Sequence, residues 1–258
     1  MKKYLIWKND QKLLAATSLK VTDQPSSFNM ALHVNDDNQK VIHNREQLAK
    51  DFDFDLHKAV FAKQTHSDHI HKVSKADIGK GAYEYASAIE DCDCLYTKEK
   101  DICLGVFHAD CVPVLIYDPI QEIICAIHAG WQGTVKEITR KALEVLINQE
   151  GCNPKNILVY IGPAISQANF EVDDDVVEKV KAMSFDTKDY IYTNQSNKKS
   201  YVDNQQLNAQ QCKLMGVDAS NIYIDKNCTY SNQEKFFSYR RAKECGRHMS
   251  FIMLRSEM

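Results

Sequence analysis

Three apolar runs near the middle of the chain constrain the fold most strongly. Residues 102–107, 113–117 and 123–127 are almost entirely apolar, which is typical of strands covered on both faces. The third run is followed by a helical pattern whose apolar residues share one face, and then by another apolar run at 156–161. Residues 123–161 therefore predict a strand–helix–strand unit, and the pattern indicates a mixed, layered α+β protein.

Local signals predict where this central helix begins and ends. Thr134 and Glu137 have the spacing of a capping box, in which each side chain satisfies a free backbone N–H group. Gly151 and Pro154 then supply a helix stop. Further strands are predicted at residues 4–7, 13–17, 59–63, 222–224 and 250–254, and further helices at 175–182 and 204–215.

The composition allows a large core and excludes several classes of partner. The chain has 258 residues, of which 44% are hydrophobic, and no repeat or linker divides it, so a single domain over residues 1–258 is predicted. A net charge of -3 provides no broad basic surface for nucleic acid or an anionic membrane. No apolar run approaches the roughly 20 residues of a membrane span. Nine cysteines without an export signal indicate free thiols in the cytoplasm.

Three strand ends deliver a side chain that can bind a metal ion. His66 follows the predicted strand at 59–63, Cys111 follows 102–107, and His128 follows 123–127. Imidazole and thiolate suit zinc, and three protein ligands leave a position for water or substrate. The pattern thus indicates an open, catalytic zinc-type site.

Spacing alone leaves the choice of ligands open. Buried cysteines and hydrogen-bonded histidines usually have no catalytic role, and Cys111 with His128 as base would also form a metal-free nucleophilic dyad. Residues 128–131 precede a helix whose free N–H groups favour an anion, while 236–241 combine aromatic rings with arginine. The alternative ligands in the sequence are His69, His71, His108, Cys92 and Cys94.

Short motifs in a fixed order along nearly the whole chain resemble the YfiH-like family. Its members were once called laccase-domain or polyphenol oxidase proteins and are now regarded as purine nucleoside phosphorylases. The matching segments are residues 27–34, Asp36-Asp37, Asn44-Arg45, Gln64-Thr65-His66, Asp91-Cys92-Asp93, residues 108–113, His128-Ala129-Gly130-Trp131, residues 161–165, Cys228-Thr229-Tyr230 and residues 236–241.

The resemblance implies a layered α/β/β/α fold with mixed sheets and a zinc ion held by His66, Cys111 and His128, with copper a less favoured metal. It also implies phosphorolysis of adenosine, inosine and methylthioadenosine, with phosphate as co-substrate, and adenosine deaminase activity. The metal ligands are then also the catalytic residues, and the partners are small molecules. Candidate substrate- or phosphate-binding residues are Asn29, Arg45, Arg240 and Arg241.

Other functions remain open at this point. The chain has Ser67 where the family usually has glycine, which bears on substrate preference more than on the metal ligands. A copper-dependent polyphenol oxidase with several coppers needs several His-x-His pairs, and only His69 and His71 have that spacing. A metal-free Cys/His hydrolase is a second alternative. A peptidoglycan-editing factor or partner-binding module that keeps the pocket without purine turnover is a third.

Overall fold

The computed structural model describes residues 2–256, whose strands form three sheets. In chain order the strands are β1 (Tyr4–Asn9), β2 (Leu13–Ser18), β3 (Ala59–Val60), β4 (Ile70–Lys72), β5 (Cys94–Thr97), β6 (Cys103–His108), β7 (Val112–Asp118), β8 (Ile123–Ala129), β9 (Leu158–Ile161), β10 (Glu171–Val172), β11 (Ile191–Thr193), β12 (Ser200–Val202), β13 (Ile222–Ile224) and β14 (His248–Leu254). The α-helices are α1 (Asn38–Asp51), α2 (Trp131–Val135), α3 (Ile138–Asn148), α4 (Asp174–Lys181) and α5 (Asn204–Leu214).

Two large mixed sheets form the centre of the molecule. Sheet I has the order β1-β2-β14-β6-β3, and its strands are antiparallel except for the parallel pair β3 and β6. Sheet II has the order β13-β9-β7-β8-β5-β4, with a parallel pair at each edge and antiparallel strands between them. The small antiparallel sheet III has the order β10-β12-β11.

The two large sheets pack face to face and carry helices on their outer faces. Leu104 and Ile252 of sheet I share one core cluster with Leu115 and Ile124 of sheet II. A second cluster joins the other face of sheet II to α3 and α5, and a third joins the other face of sheet I to α1. This arrangement is the predicted α/β/β/α layering, which the structure therefore confirms.

The continuous apolar run of β7 reflects burial on both faces. Val114 and Ile116 belong to the cluster that faces α3, whereas Leu115 and Tyr117 belong to the cluster between the sheets. Successive strand residues point to opposite faces, so each needs an apolar side chain here. The predicted strand–helix–strand unit is also present. Strands β8 and β9 are both antiparallel to β7, which lies between them, and are therefore parallel to each other.

The predicted capping box at the start of the central helix is wrong. Helix α2 already begins at Trp131, and Glu137 has a left-handed backbone (φ 60°) that separates α2 from α3. The Thr134 hydroxyl instead accepts a hydrogen bond from Asn208 Nδ2 at 3.0 Å. The Glu137 carboxylate accepts one from the backbone N–H of Ser184 at 2.8 Å. The side chains of Thr134 and Glu137 therefore form hydrogen bonds with residues distant in the chain and not with each other's backbone.

Strand ends bring the candidate site together. The turn between β6 and β7 carries Cys111, the end of β8 carries His128, and the loop after β3 carries His66. Strand β3 is shorter than the predicted 59–63, so His66 lies six residues beyond its end. Within residues 2–256, no helix is long and apolar enough to cross a lipid bilayer.

Candidate active site

The side chains of His66, Cys111 and His128 form one compact cluster. Their possible ligand atoms all lie within 4.8 Å of one another. Cys111 Sγ is 3.7 Å from His66 Nε2, and the two imidazole ring centroids are 4.9 Å apart at an interplanar angle of 74°. Across residues 2–256, this is the one group of three or more His, Cys, Asp or Glu residues with such geometry.

Tight backbone geometry brings these three side chains together. His66 has a left-handed backbone with φ 61°, and Asp110, just before Cys111, has φ 91°. Gly130 follows the strand end that carries His128, and a Cβ there would overlap the His66 ring and lie 3.3 Å from Cys111 Sγ. Only glycine therefore leaves room for the cluster at this position.

The side-chain amide of Gln64 ties the His66 loop to strand β6. Its Nε2 donates to the main-chain oxygen of Phe107, and its Oε1 accepts from the N–H of the same residue, each at 2.7 Å. The Gln64 amide thus makes the two backbone hydrogen bonds that a neighbouring strand would make with Phe107. It gives a physical reason for a glutamine two residues before His66.

Asp93 organises both histidines of the cluster. Its carboxylate accepts hydrogen bonds from His128 Nδ1 (2.8 Å), from the backbone N–H groups of Thr65, His66 and Ser67, and from the Ser67 hydroxyl (2.8 Å). Burial raises the pKa of Asp93, but His128 and Ser67 outweigh this effect and lower it to about 2. Because Nδ1 of His128 donates to Asp93, Nε2 is the ring nitrogen that remains available to bind a metal ion in the cluster.

No role was predicted for Asp93 from the sequence. The signal available was its position in the Asp91-Cys92-Asp93 motif. The hydroxyl of Ser67 adds a donor that the glycine usual in the family would lack. The departure at this position therefore strengthens the support for the histidines.

The cluster favours an ionised sulfur. Burial raises the pKa of Cys111, but interactions with His128 and His66 outweigh burial and lower it to about 6. Burial lowers the pKa of His128, but Cys111 and Asp93 outweigh that effect and raise it to about 9. A thiolate is the form of cysteine that binds metals and attacks electrophiles.

None of the alternative ligands joins this cluster. His108 is buried, and burial holds its pKa well below the usual value. His69 and His71 each lie beside an aspartate carboxylate away from the cluster. Cys92 and Cys94 are buried in the core, and all nine cysteines are free thiols.

A cavity of about 730 Å³ opens over the cluster. Pockets of this size accept small organic ligands. Sheet III and the start of α4 contribute one wall, and residues near the start of β14 contribute another. Besides the cluster, the wall carries the aromatic residues Phe107, Trp131, Phe170 and Tyr239, the basic residues Arg240 and Arg247, and the acidic residues Asp110, Glu171, Asp173 and Asp175.

Among the predicted binding residues, Arg240 lines this cavity. Its Nη2 donates to the main-chain oxygen of Glu171 at 2.9 Å, and its guanidinium carbon lies 5.6 Å from the centre of the Phe170 ring. The backbone N–H of Arg240 donates to the Asp110 carboxylate at 2.7 Å. The residue before Cys111 therefore helps to hold Arg240 over the cavity.

Arg45 and Arg241 stabilise loops and do not line the cavity in the described part of the chain. Arg45 is buried, and its guanidinium donates to the main-chain oxygens of Met30, Gly81 and Ala82. Arg241 donates to the main-chain oxygens of residues 229, 230 and 236. Backbone acceptors thus occupy both guanidinium groups, and phosphate binding by these arginines stays a prediction.

Asn29 is also fully buried and lies outside the lining of the cavity among the described residues. Its Oδ1 accepts hydrogen bonds from the backbone N–H groups of Ala31 and Arg247. It therefore supports the backbone near the site, and its contact with substrate stays a prediction. Two further lining residues were not among the predicted site residues: His33, which lies in one of the family motifs, and Arg247, which lies in none.

Comparison with known proteins identifies the family. Residues 17–255 match the family model described as multi-copper polyphenol oxidoreductase laccase. The chain is 39% identical over 250 residues to the purine nucleoside phosphorylase YlmD of Bacillus subtilis (strain 168), covering 95% of this chain and 89% of that protein. It is 33% identical over 234 residues to the purine nucleoside phosphorylase SA1030 of Staphylococcus aureus (strain N315), covering 90% and 87%.

Crystal structures give the same result. YfiH from Bacillus licheniformis has a TM-score of 0.94 and 35% identity, covering 99% of this chain and 97% of that one. YlmD from Geobacillus stearothermophilus has a TM-score of 0.91 and 32% identity, with the same coverage of both chains. The predicted resemblance is therefore confirmed, and the chain belongs to the YfiH-like family, whose model carries the laccase description.

Proposed function

We propose that this protein is a zinc-dependent purine nucleoside phosphorylase that also deaminates adenosine. The observation that carries the proposal is the cluster of His66, Cys111 and His128 inside a cavity whose wall combines aromatic and cationic side chains. The names of the relatives from Bacillus and Staphylococcus support the same activity. The proposed nucleosides are adenosine, inosine and methylthioadenosine, and phosphate is the co-substrate.

The residues present fit a zinc ion. Two imidazoles and a thiolate are donors that zinc prefers, and the 3.7 Å between Cys111 Sγ and His66 Nε2 suits two ligands of one tetrahedral ion. Asp93 fixes the ring of His128 from behind, as carboxylates do at many zinc sites. When bound, zinc supplies Lewis acidity that polarises an oxygen atom and lowers the pKa of water.

Phosphorolysis exchanges a C–N bond for a C–O bond at the sugar. An oxygen of hydrogen phosphate bonds to C1′ while the bond from C1′ to the purine nitrogen breaks, and its electron pair goes to the base. The proton carried by the phosphate ends on the base, so no other reactant is needed. We assign Phe170 and Tyr239 to contact the planar base and Arg240 to orient the nucleoside, because positioning supplies much of the rate in such a reaction.

Deamination of adenosine uses the same cavity. The oxygen of water bonds to the purine carbon that carries the amine, and the C–N bond breaks. The amine leaves as ammonia with one proton of the water, and the other proton ends on the adjacent ring nitrogen of inosine. Both reactions need a planar purine held over one open site. We therefore assign both to the cluster rather than to two separate sites.

Assays with and without phosphate test this proposal. Purified protein is analysed for metal and then incubated with adenosine or inosine. Release of free base only with phosphate supports phosphorolysis, and formation of inosine from adenosine without phosphate supports deamination. Cys111→Ala is expected to abolish both, whereas Cys94→Ala, which changes a buried core thiol, should retain both. Absence of both activities in metal-loaded protein would contradict the proposal.

A metal-free hydrolase with Cys111 as nucleophile is the second candidate, favoured by the lowered pKa of its thiol beside His128. Full activity in protein stripped of metal, lost on alkylation of Cys111, would select it over the zinc enzyme. A multicopper oxidase is disfavoured, because residues 2–256 hold a single donor cluster. A peptidoglycan-editing or partner-binding role would leave purines unchanged in every assay.

The free cysteines also support a proposed location. All nine are thiols, and four of them (Cys94, Cys103, Cys125 and Cys212) are completely buried. Reduced cysteines in such number are typical of a reducing compartment. We therefore propose that the protein works in the cytoplasm.

A further inference from the structure

A side pocket shares two residues with the main cavity. It has a volume of about 320 Å³ and is formed by residues 33–36 and 243–247. His33 and Arg247 line both this pocket and the cavity over the metal cluster. These two side chains therefore stand at the junction of the two spaces.

The backbone of Arg247 is held firmly at this junction. Its N–H donates to Asn29 Oδ1 at 2.8 Å, and its main-chain oxygen accepts from the N–H of Met30 at 3.0 Å. The preceding Gly246 allows this approach, because a Cβ there would lie 2.8 Å from the Cβ of Asn29. Strand β14 begins at the next residue. These contacts fix the backbone position from which the Arg247 side chain extends.

The guanidinium group of Arg247 keeps donors available. Its Nη1 donates to the main-chain oxygens of Cys245 and Gly246, and its carbon lies 5.6 Å from the centre of the Tyr239 ring. Within residues 2–256, Nε and Nη2 have no hydrogen-bond acceptor, and neither ring nitrogen of His33 has a partner. The exposed His33 side chain adds a donor beside the guanidinium.

The wall near Arg240 is acidic. It carries the carboxylates of Glu171, Asp173 and Asp175, of which Glu171 pairs with Lys199 and Asp175 with Lys179. This wall suits neutral groups such as the hydroxyls of a sugar.

Two acidic residues also line the side pocket. The carboxylate of Asp36 accepts hydrogen bonds from the Ser26 hydroxyl, from Asn29 Nδ2 and from the N–H of Asp37, and Glu244 is exposed to solvent. The two arginines differ in their free donors. Within residues 2–256, the edge of Arg247 formed by Nε and Nη2 has no acceptor, whereas Nη2 of Arg240 already donates to the main-chain oxygen of Glu171.

We propose that Arg247, assisted by His33, binds the inorganic phosphate that attacks the nucleoside. The planar guanidinium fork matches the geometry of two phosphate oxygens. This site rests on the proposed phosphorolysis and gives phosphate a place separate from that of the nucleoside. Deamination uses water and does not need it.

The test is binding of inorganic phosphate to metal-loaded protein, measured by isothermal titration, together with the KM for phosphate in the inosine assay. Arg247→Met is expected to weaken binding at least about 10-fold and to raise this KM similarly, since it removes a charged donor. The loss in phosphorolysis should exceed any change in adenosine deamination, because deamination uses no phosphate. Arg247→Lys should recover part of the affinity, because it restores the charge without the fork.

Arg140→Met is the matched control. Arg140 forms ion pairs with Glu137 and Glu144 outside the cavity lining, so its loss should not change phosphate affinity. If Arg247→Met and Arg247→Lys keep normal phosphate affinity and KM while the wild type phosphorolyses inosine, this site is wrong and phosphorolysis stands. If the wild type binds phosphate through Arg247 yet releases no base, the site stands and phosphorolysis is wrong. No phosphate binding by the wild type would overturn both.

Discussion

Gly130 shapes the cluster without contributing a ligand atom. It lies between the His66 ring and Cys111 Sγ, where even one methyl group would displace the ring. The donors around a metal ion must be placed within a fraction of an ångström, so a displaced His66 ring would weaken both metal binding and catalysis.

We expect Gly130→Ala to lose bound metal and to reduce catalysis about 100-fold, the usual effect of misplacing a catalytic group by about 1 Å. Metal content by mass spectrometry and the inosine assay measure the two effects. Gly151→Asn is the control, because a side chain at residue 151 meets nothing within 4 Å and asparagine tolerates its positive φ. Normal metal content in Gly130→Ala would contradict this account of the site.

Asp93 acts at the same scale through its hydrogen bonds to both histidines. Asp93→Asn should weaken zinc binding about 10- to 100-fold, because the residues that orient metal ligands have effects of that size. Competition with a chelator measures the affinity. Asp91→Asn, at an exposed position two residues earlier, is the comparison and should retain most of the affinity. Equal affinities in the two variants would show that Asp93 does not orient the ligands.

At the scale of elements, one turn joins the cluster to the segment that covers the cavity. The Asp110 carboxylate accepts hydrogen bonds from the Thr229 hydroxyl (2.6 Å), the Ser238 hydroxyl (2.9 Å) and the N–H of Arg240 (2.7 Å). The next residue is Cys111. The turn between β6 and β7 therefore positions Cys111, a proposed metal ligand, on one side and the 228–241 segment on the other.

We expect Asp110→Asn to loosen the 228–241 segment, because the charge is lost and one of the two acceptor oxygens becomes an NH₂ group. Asparagine tolerates the positive φ of residue 110, so the turn itself should persist. The KM for inosine should rise about 10-fold, consistent with the loss of charge-assisted hydrogen bonds, while metal content stays normal. An unchanged KM would show that this segment does not position the nucleoside.

Local pattern predicted some elements well and others not at all. The apolar runs placed β7 and β8 within two residues of their ends, because strands buried on both faces need apolar residues throughout. Helix α1 was not predicted, since its buried face includes the polar Asn44 and Arg45, which interrupt an apolar stripe. Their partners are backbone oxygens of distant loops, which a local pattern does not reveal.

At the scale of the whole molecule, the scaffold does not depend on the metal cluster for its core. The three main hydrophobic clusters lie between and outside the two large sheets, and none includes His66, Cys111 or His128. The fold and the site are in this sense separable. Small zinc domains that lack such a core behave differently, because they unfold when the metal is removed.

Removal of zinc by a strong chelator should therefore abolish activity while leaving the secondary structure intact. We expect the far-ultraviolet circular dichroism spectrum to be unchanged and the melting temperature to fall by several degrees, since the metal stabilises only the folded state. Zinc added back should restore both activity and melting temperature. Unfolding on chelation at room temperature would mean that the cluster is part of the structural core.

In the candidate site too, sequence motifs predicted some residues, whereas others are placed by contacts between distant parts of the chain. Strand ends and family motifs together indicated His66, Cys111 and His128, and the structure brings them together. Arg247 was not indicated, because its position depends on a contact with Asn29, 218 residues earlier in the chain. Contacts of such range arise only from the complete packing of sheet I.

The position of β14 in sheet I has a consequence for biosynthesis. This strand lies between β2 and β6, so the sheet consists of two unconnected parts until residues 248–254 have left the ribosome. Until then the edges of β2 and β6 expose unpaired backbone groups, which favour association with other chains. Sheet I therefore closes only once β14 has been synthesised and has paired with both of these strands.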